Sequence, residues 1–506
     1  MHNKNFFLLL VSFVSGLSIM AMEISASRLL APHFGTSVFI WTNIIGVVMV
    51  ALSLGYYFGG KLADRIPKID FLLKLIFSAG FLFLTIPLII KPLVSLIDFK
   101  NLGLASSSMI IFISSLVFTT ILFAVPLFLL GMTSPFIIKL YLADENEKTG
   151  SSVGLVSAIS TIGSILGTFL PTLYLIPSLG TKATINIFAL ILIILGIFGF
   201  KKNKFNFLIL LAVFGIFLFF NNLPIKKQAG LIFEDESAYQ YITVKRDNNG
   251  TNYLSTNEGL GIQSVYNAKK TLTGYYFDYV NVLPYLINAE NPKKVLIIGL
   301  CGGTLANQLH HFFPEETIID GVEIDPVIIN AAKKYFAIED TQTTIFNSDG
   351  RMFLKNNSKK YDLMVVDAYS HEFYIPWTLT TKEFWESAKR SLSENGIIAI
   401  NVNSETPDSQ LLKSISNTMA SVFPNTYVTP INNGGINYVL TAAKTPIDFE
   451  NATKLTENQQ LKNLSLAYGK NLTKQVAFNE NEMILTDDKA PVDFMTDHMV
   501  LDYLRR

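Results

Sequence analysis

A glycine-rich turn between two apolar patterns is the first feature of this sequence that suggests chemistry. Residues 295–309, VLIIGLCGGTLANQL, have the pattern of a buried strand, a turn and the start of a helix. Gly299, Gly302 and Gly303 lie in the turn, where the missing side chains let a ligand approach the backbone and the first helical amides point at it. The pattern favours a nucleotide-binding loop.

Acidic residues end three of the strands that follow this loop. Glu323 comes about two dozen residues later, where a carboxylate accepts hydrogen bonds from a ribose diol. Asp349, followed by Gly350, ends the next strand in NSDG and is suited to hold an exocyclic adenine amine. Asp367 ends an apolar strand in VVDAY, and we expect it to face the substrate as a general base.

The elements that must position these residues alternate between strand and helix. From residue 291 onward, strand patterns such as TIIDGVEID are followed by helical patterns such as PVIINAAKKYF, which predicts a parallel, doubly wound Rossmann-like sheet of the methyltransferase type over residues 291–506. Ligands of such sheets bind beyond the carboxyl ends of the strands. Residues 226–290 alternate with period two around a DNNG turn and predict a small antiparallel β layer.

The first part of the chain, residues 1–225, has the composition of a multi-span helical membrane domain. Half of all 506 residues are hydrophobic, and they concentrate in this part. About twenty apolar residues cross a bilayer as a helix. Candidate spans lie near residues 5–26, 38–58, 71–97, 107–131 and 152–177, and two shorter ones near 183–200 and 205–221.

Lysines and arginines set the expected orientation of these spans. Basic residues between spans two and three, four and five, and six and seven all fall on one side, which the positive-inside bias makes cytoplasmic. Seven spans would place the second half of the chain outside, so we expect that one candidate does not cross and that the catalytic part is cytoplasmic. Glu23 and Arg28 lie inside the first apolar run, and we expect them to pair with each other.

Charge and cysteine content exclude several classes of partner. Forty basic and forty acidic residues leave no net charge, so a nucleic-acid partner is not expected. Cys301 is the single cysteine, and the six histidines have no ligand spacing, so no metal site is implied.

The motifs together resemble one enzyme family over roughly residues 231–500. SAYQYITV, VLIIGLCGGTL, GVEIDPVIINAAKKYF, SDGRMFL, YDLMVVDAY and LTDDKAPVD follow in the order and spacing of the spermidine synthases, the polyamine aminopropyltransferases. The whole chain is similar to the bacterial subgroup in which a multi-span segment precedes the catalytic domain. The resemblance implies a methyltransferase-like Rossmann sheet behind a small β layer, and a homodimer.

The resemblance also implies a reaction and the residues that perform it. The family transfers an aminopropyl group from decarboxylated S-adenosylmethionine, a co-substrate, to an amine such as putrescine and releases methylthioadenosine. By the matching motifs, Gln240 contacts the donor, Glu323 the ribose, and Asp349 with Gly350 the adenine. Asp367 matches the acid assigned as proton acceptor.

The acceptor side departs from the family pattern. The glycine loop lacks the usual aspartate, a tyrosine-histidine-glutamate element has become Tyr276, Phe277 and Asp278, and Ser370 replaces the second aspartate of the catalytic loop. The acceptor-side candidates are Asp278, Ser370, Glu372 and Pro376.

Two other functions stay open at this point. The same sheet binds S-adenosylmethionine in ordinary methyltransferases, although Gln240 on a β layer favours aminopropyl transfer. The soluble part of a transporter or sensor that binds a polyamine or nucleoside would also need an acid such as Asp367. Turnover separates this last alternative from the two enzymes.

Overall fold

The chain forms two compact units in a computed structural model. The structure describes residues 2–34, 38–95, 108–143, 149–200, 215, 229–257, 259, 261–287, 294–314, 317–340, 343–370, 373–431, 436–449, 458–469 and 472–504. One unit contains the N-terminal helices and Asp235–Tyr241, and the other contains Ser106–Ser108, Gln228–Glu234 and Ile242–Arg506. The domain limits expected from composition stay predictions beside this division.

Apolar helices build the first unit. They are α1 (His2–Phe34), α2 (Val38–Arg65), α3 (Ile69–Ser95), α4 (Ser108–Thr119), α5 (Val125–Gly131), α6 (Thr133–Leu142), α7 (Thr149–Leu170), α8 (Ile176–Leu179) and α9 (Thr181–Ile197). Single π-helical turns, Thr120–Ala124 and Pro171–Leu175, connect α4 to α5 and α7 to α8. The second of these turns begins at a proline, which cannot donate an α-helical hydrogen bond.

Five of these helical stretches are long and apolar enough to cross a membrane. They are Lys4–Ala31, Ile40–Arg65, Ile69–Ile90, Phe112–Leu142 and Thr149–Leu179. They coincide with the first five candidate spans. The sixth candidate corresponds to the shorter helix Thr181–Ile197, and the seventh lies outside the described residues apart from residue 215. The guanidinium of Arg28, which was expected to pair with Glu23, donates a hydrogen bond to the carbonyl of Ala238.

Small residues let α1 and α7 pack backbone to backbone. A Cβ atom on Gly163 would lie 2.1 Å from the carbonyl oxygen of Phe13, and one on Gly167 would lie 2.1 Å from that of Leu17. A Cβ on Gly16 would lie at the same distance from the carbonyl oxygen of Ser160. Such glycines at spacing of four are typical of close helix pairs in membranes, where packing rather than hydrophobicity drives association.

A four-stranded sheet precedes the large sheet of the second unit. Its strands are β1 (Leu231–Glu236), β2 (Tyr241–Arg246), β3 (Asn252–Thr256) and β4 (Ser264–Tyr266), paired in chain order. The side chain of Asp247 accepts hydrogen bonds from the amides of Asn249 and Thr251, which closes the DNNG turn between β2 and β3. Ile242, Val244 and Leu254 of this β layer pack against Ile328 and Phe336.

Eight strands form the large sheet, in the order β12-β10-β11-β9-β8-β5-β6-β7. The strands are β5 (Lys294–Ile298), β6 (Ile318–Glu323), β7 (Thr343–Asn347), β8 (Tyr361–Val366), β9 (Leu392–Asn403), β10 (Asn425–Pro430), β11 (Asn437–Ala443) and β12 (Lys474–Val476). Strands β5 to β9 pair in parallel. The chain winds from β5 to β6 and β7 on one side and then continues with β8 and β9 on the other side of β5, which confirms the doubly wound prediction. The expectation of an all-parallel sheet was wrong, because β10, β11 and β12 add antiparallel strands beyond β9.

Helices cover both faces of this sheet, so its central strands are buried throughout. On β5, Leu296 and Ile298 belong to one apolar core, and Val295 and Ile297 to the other. The helices are α10 (Phe277–Val280), α11 (Thr304–Phe312), α12 (Pro326–Tyr335), α13 (Gly350–Asn356), α14 (Lys382–Ser391), α15 (Gln410–Val422), α16 (Gln459–Ser465) and α17 (Val492–Leu504). Short 3-10 turns are Leu283–Leu286, Ile338–Asp340, Trp377–Leu379 and Leu466–Tyr468.

Candidate active site

The carboxyl ends of β5, β6 and β8 meet at one edge of the sheet. The amide of Gly299 donates to the carbonyl of Val322 at 2.9 Å, and the amide of Asp367 donates to the carbonyl of Ile298 at 2.8 Å. These bonds extend the parallel pairing by one residue and place the glycine loop between the two acidic strand ends. The winding of the sheet reverses here, which is where open α/β sheets bind ligands.

Two glycines of the loop have backbone angles that other residues rarely adopt. Gly299 has φ +87°, and a Cβ there would lie 2.4 Å from the carbonyl oxygen of Asp367. Gly303 has φ +83° and precedes the first residue of α11. The amide of Gly302 donates to Ser264 Oγ at 2.9 Å, so the loop is also held by the β layer. Glycine is therefore required for the shape of the loop at Gly299 and Gly303.

Glu323 is buried under the loop and fixes its backbone. One carboxylate oxygen accepts from the amide of Cys301 at 2.9 Å and the other from the amide of Asp325 at 3.0 Å. Burial raises the pKa of Glu323 to about 7 despite these bonds. The amide of Ile324 also interacts with this carboxylate, and a carboxylate offers about four acceptor sites, so acceptor capacity remains for a ligand's hydroxyl group.

Asp349 and Gly350 start α13 beside the same edge. The Asp349 carboxylate accepts from the amide of Met352 at 2.9 Å, which is an N-cap bond. A Cβ on Gly350 would lie 2.3 Å from Ile298 Cγ2, so α13 approaches β5 closely. Capping uses one oxygen of Asp349, and the other oxygen is available to a ligand amine.

A tyrosine from outside the sheet binds the carboxylate of Asp367. Tyr276 Oη donates to both carboxylate oxygens, at 2.8 and 2.7 Å. Burial raises the pKa of Asp367 to about 6, and the hydrogen bonds from Tyr276 and Asn401 limit that increase. Burial and the charge of Asp367 raise the pKa of Tyr276, so its hydroxyl stays protonated and donating.

A second tyrosine and an asparagine complete the surroundings of Asp367. Tyr369 Oη donates to the carbonyl of Asn401 at 2.8 Å, and burial raises its pKa. Tyr276, Tyr369 and Asn401 were not among the residues predicted for the site. Tyr276 stands in the family's tyrosine-histidine-glutamate element and Tyr369 ends the motif YDLMVVDAY, so both were identifiable from motifs, whereas Asn401 belongs to no motif discussed above.

Asp278, an acceptor-side candidate, is buried and holds the segment that carries Tyr276. Its carboxylate accepts from the amide of Thr273 at 3.0 Å, from the amide of Gly274 at 2.7 Å and from Gln308 Nε2 at 2.6 Å. Thr273 Oγ1 adds a bond at 2.9 Å. These internal donors give Asp278 a positioning role, and contact with an amine substrate stays a prediction.

The remaining residues predicted for the site differ in their exposure and in their hydrogen bonds. Ser370 is exposed, and its amide and hydroxyl both bond to the carbonyl of Tyr374. Pro376 is half-buried before a 3-10 turn. Gln240 is half-buried, and its carbonyl accepts from the amide of Ser237. Glu372 lies outside the described residues.

Comparison with protein families identifies the second unit. Residues 277–451 match the model of the spermine/spermidine synthase domain. The chain is 32% identical over 291 residues to a probable polyamine aminopropyl transferase of Bifidobacterium longum. The aligned region covers 54% of this chain and 64% of that protein. It therefore spans less than two thirds of that relative.

Another relative is matched over nearly its whole length. The polyamine aminopropyltransferase of Vibrio vulnificus is 30% identical over 284 residues, which is 53% of this chain and 92% of that protein. Among solved structures, a probable spermidine synthase from Corynebacterium glutamicum is similar with a TM-score of 0.42 at 18% identity, over 52% of this chain and 97% of that one. The match to the Vibrio vulnificus protein places this chain in the spermidine synthase family of polyamine aminopropyltransferases, which are transferases.

Proposed function

We propose that this protein is a membrane-anchored aminopropyltransferase that moves the aminopropyl group of decarboxylated S-adenosylmethionine to an amine. The observation that carries the proposal is the partly buried Asp367 carboxylate, held by Tyr276 and adjacent through the backbone to the glycine loop. We propose that a nucleoside site and a proton acceptor share this edge of the sheet.

The donor would lie over the glycine loop. Glu323 has acceptor capacity for the ribose hydroxyls, and Asp349 has an oxygen for the adenine amine. Gln240 is proposed as a further donor contact through its family motif. The loop glycines keep the backbone clear of side chains where the nucleoside approaches.

The reaction is a single displacement at carbon. The lone pair of the acceptor nitrogen attacks the aminopropyl CH₂ bonded to the sulfonium, and a new C–N bond forms as the C–S bond breaks. The electron pair of the C–S bond goes to sulfur and neutralises it, which gives methylthioadenosine. The nitrogen must lose a proton, and we propose that Asp367 receives it.

The surroundings of Asp367 suit this role. A pKa of about 6 makes its carboxylate a better base than an ordinary aspartate, while leaving it ionised at neutral pH. Tyr276 fixes both carboxylate oxygens, which orients the acid toward the incoming amine. An anionic carboxylate also attracts a cationic polyamine and holds it in line.

Membrane anchoring is supported by the first unit. Its helices leave large apolar side chains exposed, among them Leu173 at 72% and Val50 at 62% exposure. Such surfaces are typical of lipid contact. We propose that the catalytic part is cytoplasmic and that the amine acceptor or product lies at or crosses the bilayer.

Product analysis tests the proposal. The purified full-length protein in detergent is mixed with decarboxylated or ordinary S-adenosylmethionine and with single amines, including putrescine, and the products are identified by mass spectrometry. We expect methylthioadenosine together with one aminopropylated amine. S-adenosylhomocysteine would instead show methyl transfer, and donor binding without either product would contradict enzymatic activity.

A further inference from the structure

A cavity lies between the β layer and α11, lined by residues that the proposed reaction does not use. It has a volume of about 230 Å³ and is bordered on one side by residues 265–268, 270 and 271, and on the other by one side of α11 from Thr304 to His311. This is below the range of roughly 300–1,000 Å³ typical of drug-sized ligands. The cavity is suited to a small polar molecule.

The charges around this cavity have one sign. Lys270, His310 and His311 line it, and none of its lining residues is an aspartate or glutamate. Within the described ranges, these three side chains form no ion pair with an acid. Asn307 adds a side-chain amide to the same wall, with one N–H used by the carbonyl of Phe336, whereas the amide nitrogen of Gln308 donates to Thr271 and Asp278. A site with an ammonium, two imidazoles and an amide donor is complementary to a small anion.

We propose that this cavity binds a small oxyanion of the phosphate or phosphate-monoester class. Lys270 supplies a positive charge, and His310 and His311 supply imidazole N–H donors.

A series of hydrogen bonds leads from the cavity to the chain segment that carries Tyr276. Gln308 Nε2 donates to the carbonyl of Thr271, a lining residue, at 3.0 Å and to Asp278 at 2.6 Å. Asp278 in turn holds the amides of Thr273 and Gly274. An anion held by Lys270 restrains the adjacent Thr271, and Gln308 links Thr271 to Asp278, so the segment 271–276 and the tyrosine that holds Asp367 become less mobile.

Binding is tested with inorganic phosphate on the purified full-length protein in detergent, by isothermal titration calorimetry against chloride at equal ionic strength. We expect saturable binding, weakened about tenfold or more in Lys270→Ala and in His311→Ala. Lys269→Ala, an exposed neighbour that does not line the cavity, is the matched control and should bind like wild type. Absence of saturable binding, or equal weakening in all three variants, would overturn the site.

Coupling is tested without any assay of turnover, so its result is separate from the proposed reaction. Hydrogen–deuterium exchange of the amides in 271–276 should slow about threefold or more with phosphate in wild type. In Gln308→Leu, phosphate should still bind while this protection disappears. Unchanged exchange in wild type, or equal protection in Gln308→Leu, would refute the connection through Gln308.

Discussion

The donor end and the amine end of the candidate site are built in different ways. At the donor end, backbone groups dominate: the amides of Cys301 and Asp325 hold Glu323, and Gly299 and Gly303 set the path of the loop. At the amine end, side chains dominate. Asp367 depends on the hydroxyl of Tyr276 and the amide of Asn401.

The difference indicates where each end can vary. A backbone site depends on glycine and on strand order, so it tolerates few changes and looks alike across proteins that bind the same nucleoside. A side-chain site can be rebuilt by substituting neighbours. This accounts for a chain that keeps the family's donor-side motifs while the acceptor-side motif has become Tyr276, Phe277 and Asp278.

The substitution with the largest expected effect disrupts the amine end alone. Asp367→Asn removes the proton acceptor and should lower kcat by about a hundredfold to ten-thousandfold, with donor affinity nearly unchanged. Steady-state kinetics and donor titration measure the two quantities. Asp408→Asn, at an exposed ion pair with Lys413, is the matched control. Equal loss of donor binding in Asp367→Asn would contradict a division of the site into two ends.

A substitution at the contact between the two ends comes next. Gly299→Ala forces an alanine into φ +87° and sets its Cβ against the carbonyl of Asp367, so it should lower both activity and the melting temperature Tm. Gly350→Ala is the comparison, because Gly350 has no positive φ and its Cβ would meet side-chain atoms of Ile298 rather than backbone. We expect a clearly smaller loss there, measured by thermal unfolding. A larger loss for Gly350→Ala would refute this ranking.

Glu323→Gln sharpens the comparison at the donor end. Losing a charged acceptor for the ribose should raise KM for the donor about tenfold while kcat changes less. The amine KM should stay near its wild-type value. A variant with normal donor KM would show that Glu323 only supports the loop.

The same variant is the reference for a predicted pH dependence of wild-type stability. The pKa of Glu323 is about 7 in the folded protein against 4.5 ordinarily, so the folded state binds more protons between these values and loses stability as pH rises through them. Relative to Glu323→Gln, the wild type should lose up to about 3 kcal/mol between about pH 5 and pH 8. Thermal unfolding across this range would show the wild-type Tm falling relative to the variant, and a constant difference would contradict the buried carboxyl.

Much of the fold, and the position of the loop glycines and strand-end acids of the candidate donor end, was predictable from sequence because their signals are local. Alternating strands and helices, glycines in a turn and acids at strand ends all lie within a few residues of one another. Apolar length likewise identified the five long helical stretches. The antiparallel strands β10 to β12 were missed, since pairing partners are not encoded by strand pattern alone.

The amine end was predictable only in part because its partners are distant in sequence. Tyr276 and Asp367 are 91 residues apart, and Tyr369 meets the carbonyl of Asn401 from 32 residues away. Asp278 was expected on the acceptor side because it matches the family's tyrosine-histidine-glutamate element, but its burial against Thr273 and Gln308 depends on tertiary packing. Tertiary contacts of this kind have no short-range signal in a single sequence.

The most direct test of the account is the pH dependence of kcat/KM for the amine in wild type and in Tyr276→Phe. Asp367 acts as a carboxylate, so activity should fall below a break near its pKa of about 6. The hydroxyl of Tyr276 lowers that pKa, so its removal in Tyr276→Phe should move the break to higher pH and reduce the rate about tenfold. A wild-type profile without a break between about pH 5 and pH 7, or a break that Tyr276→Phe leaves in place, would contradict Asp367 as the proton acceptor.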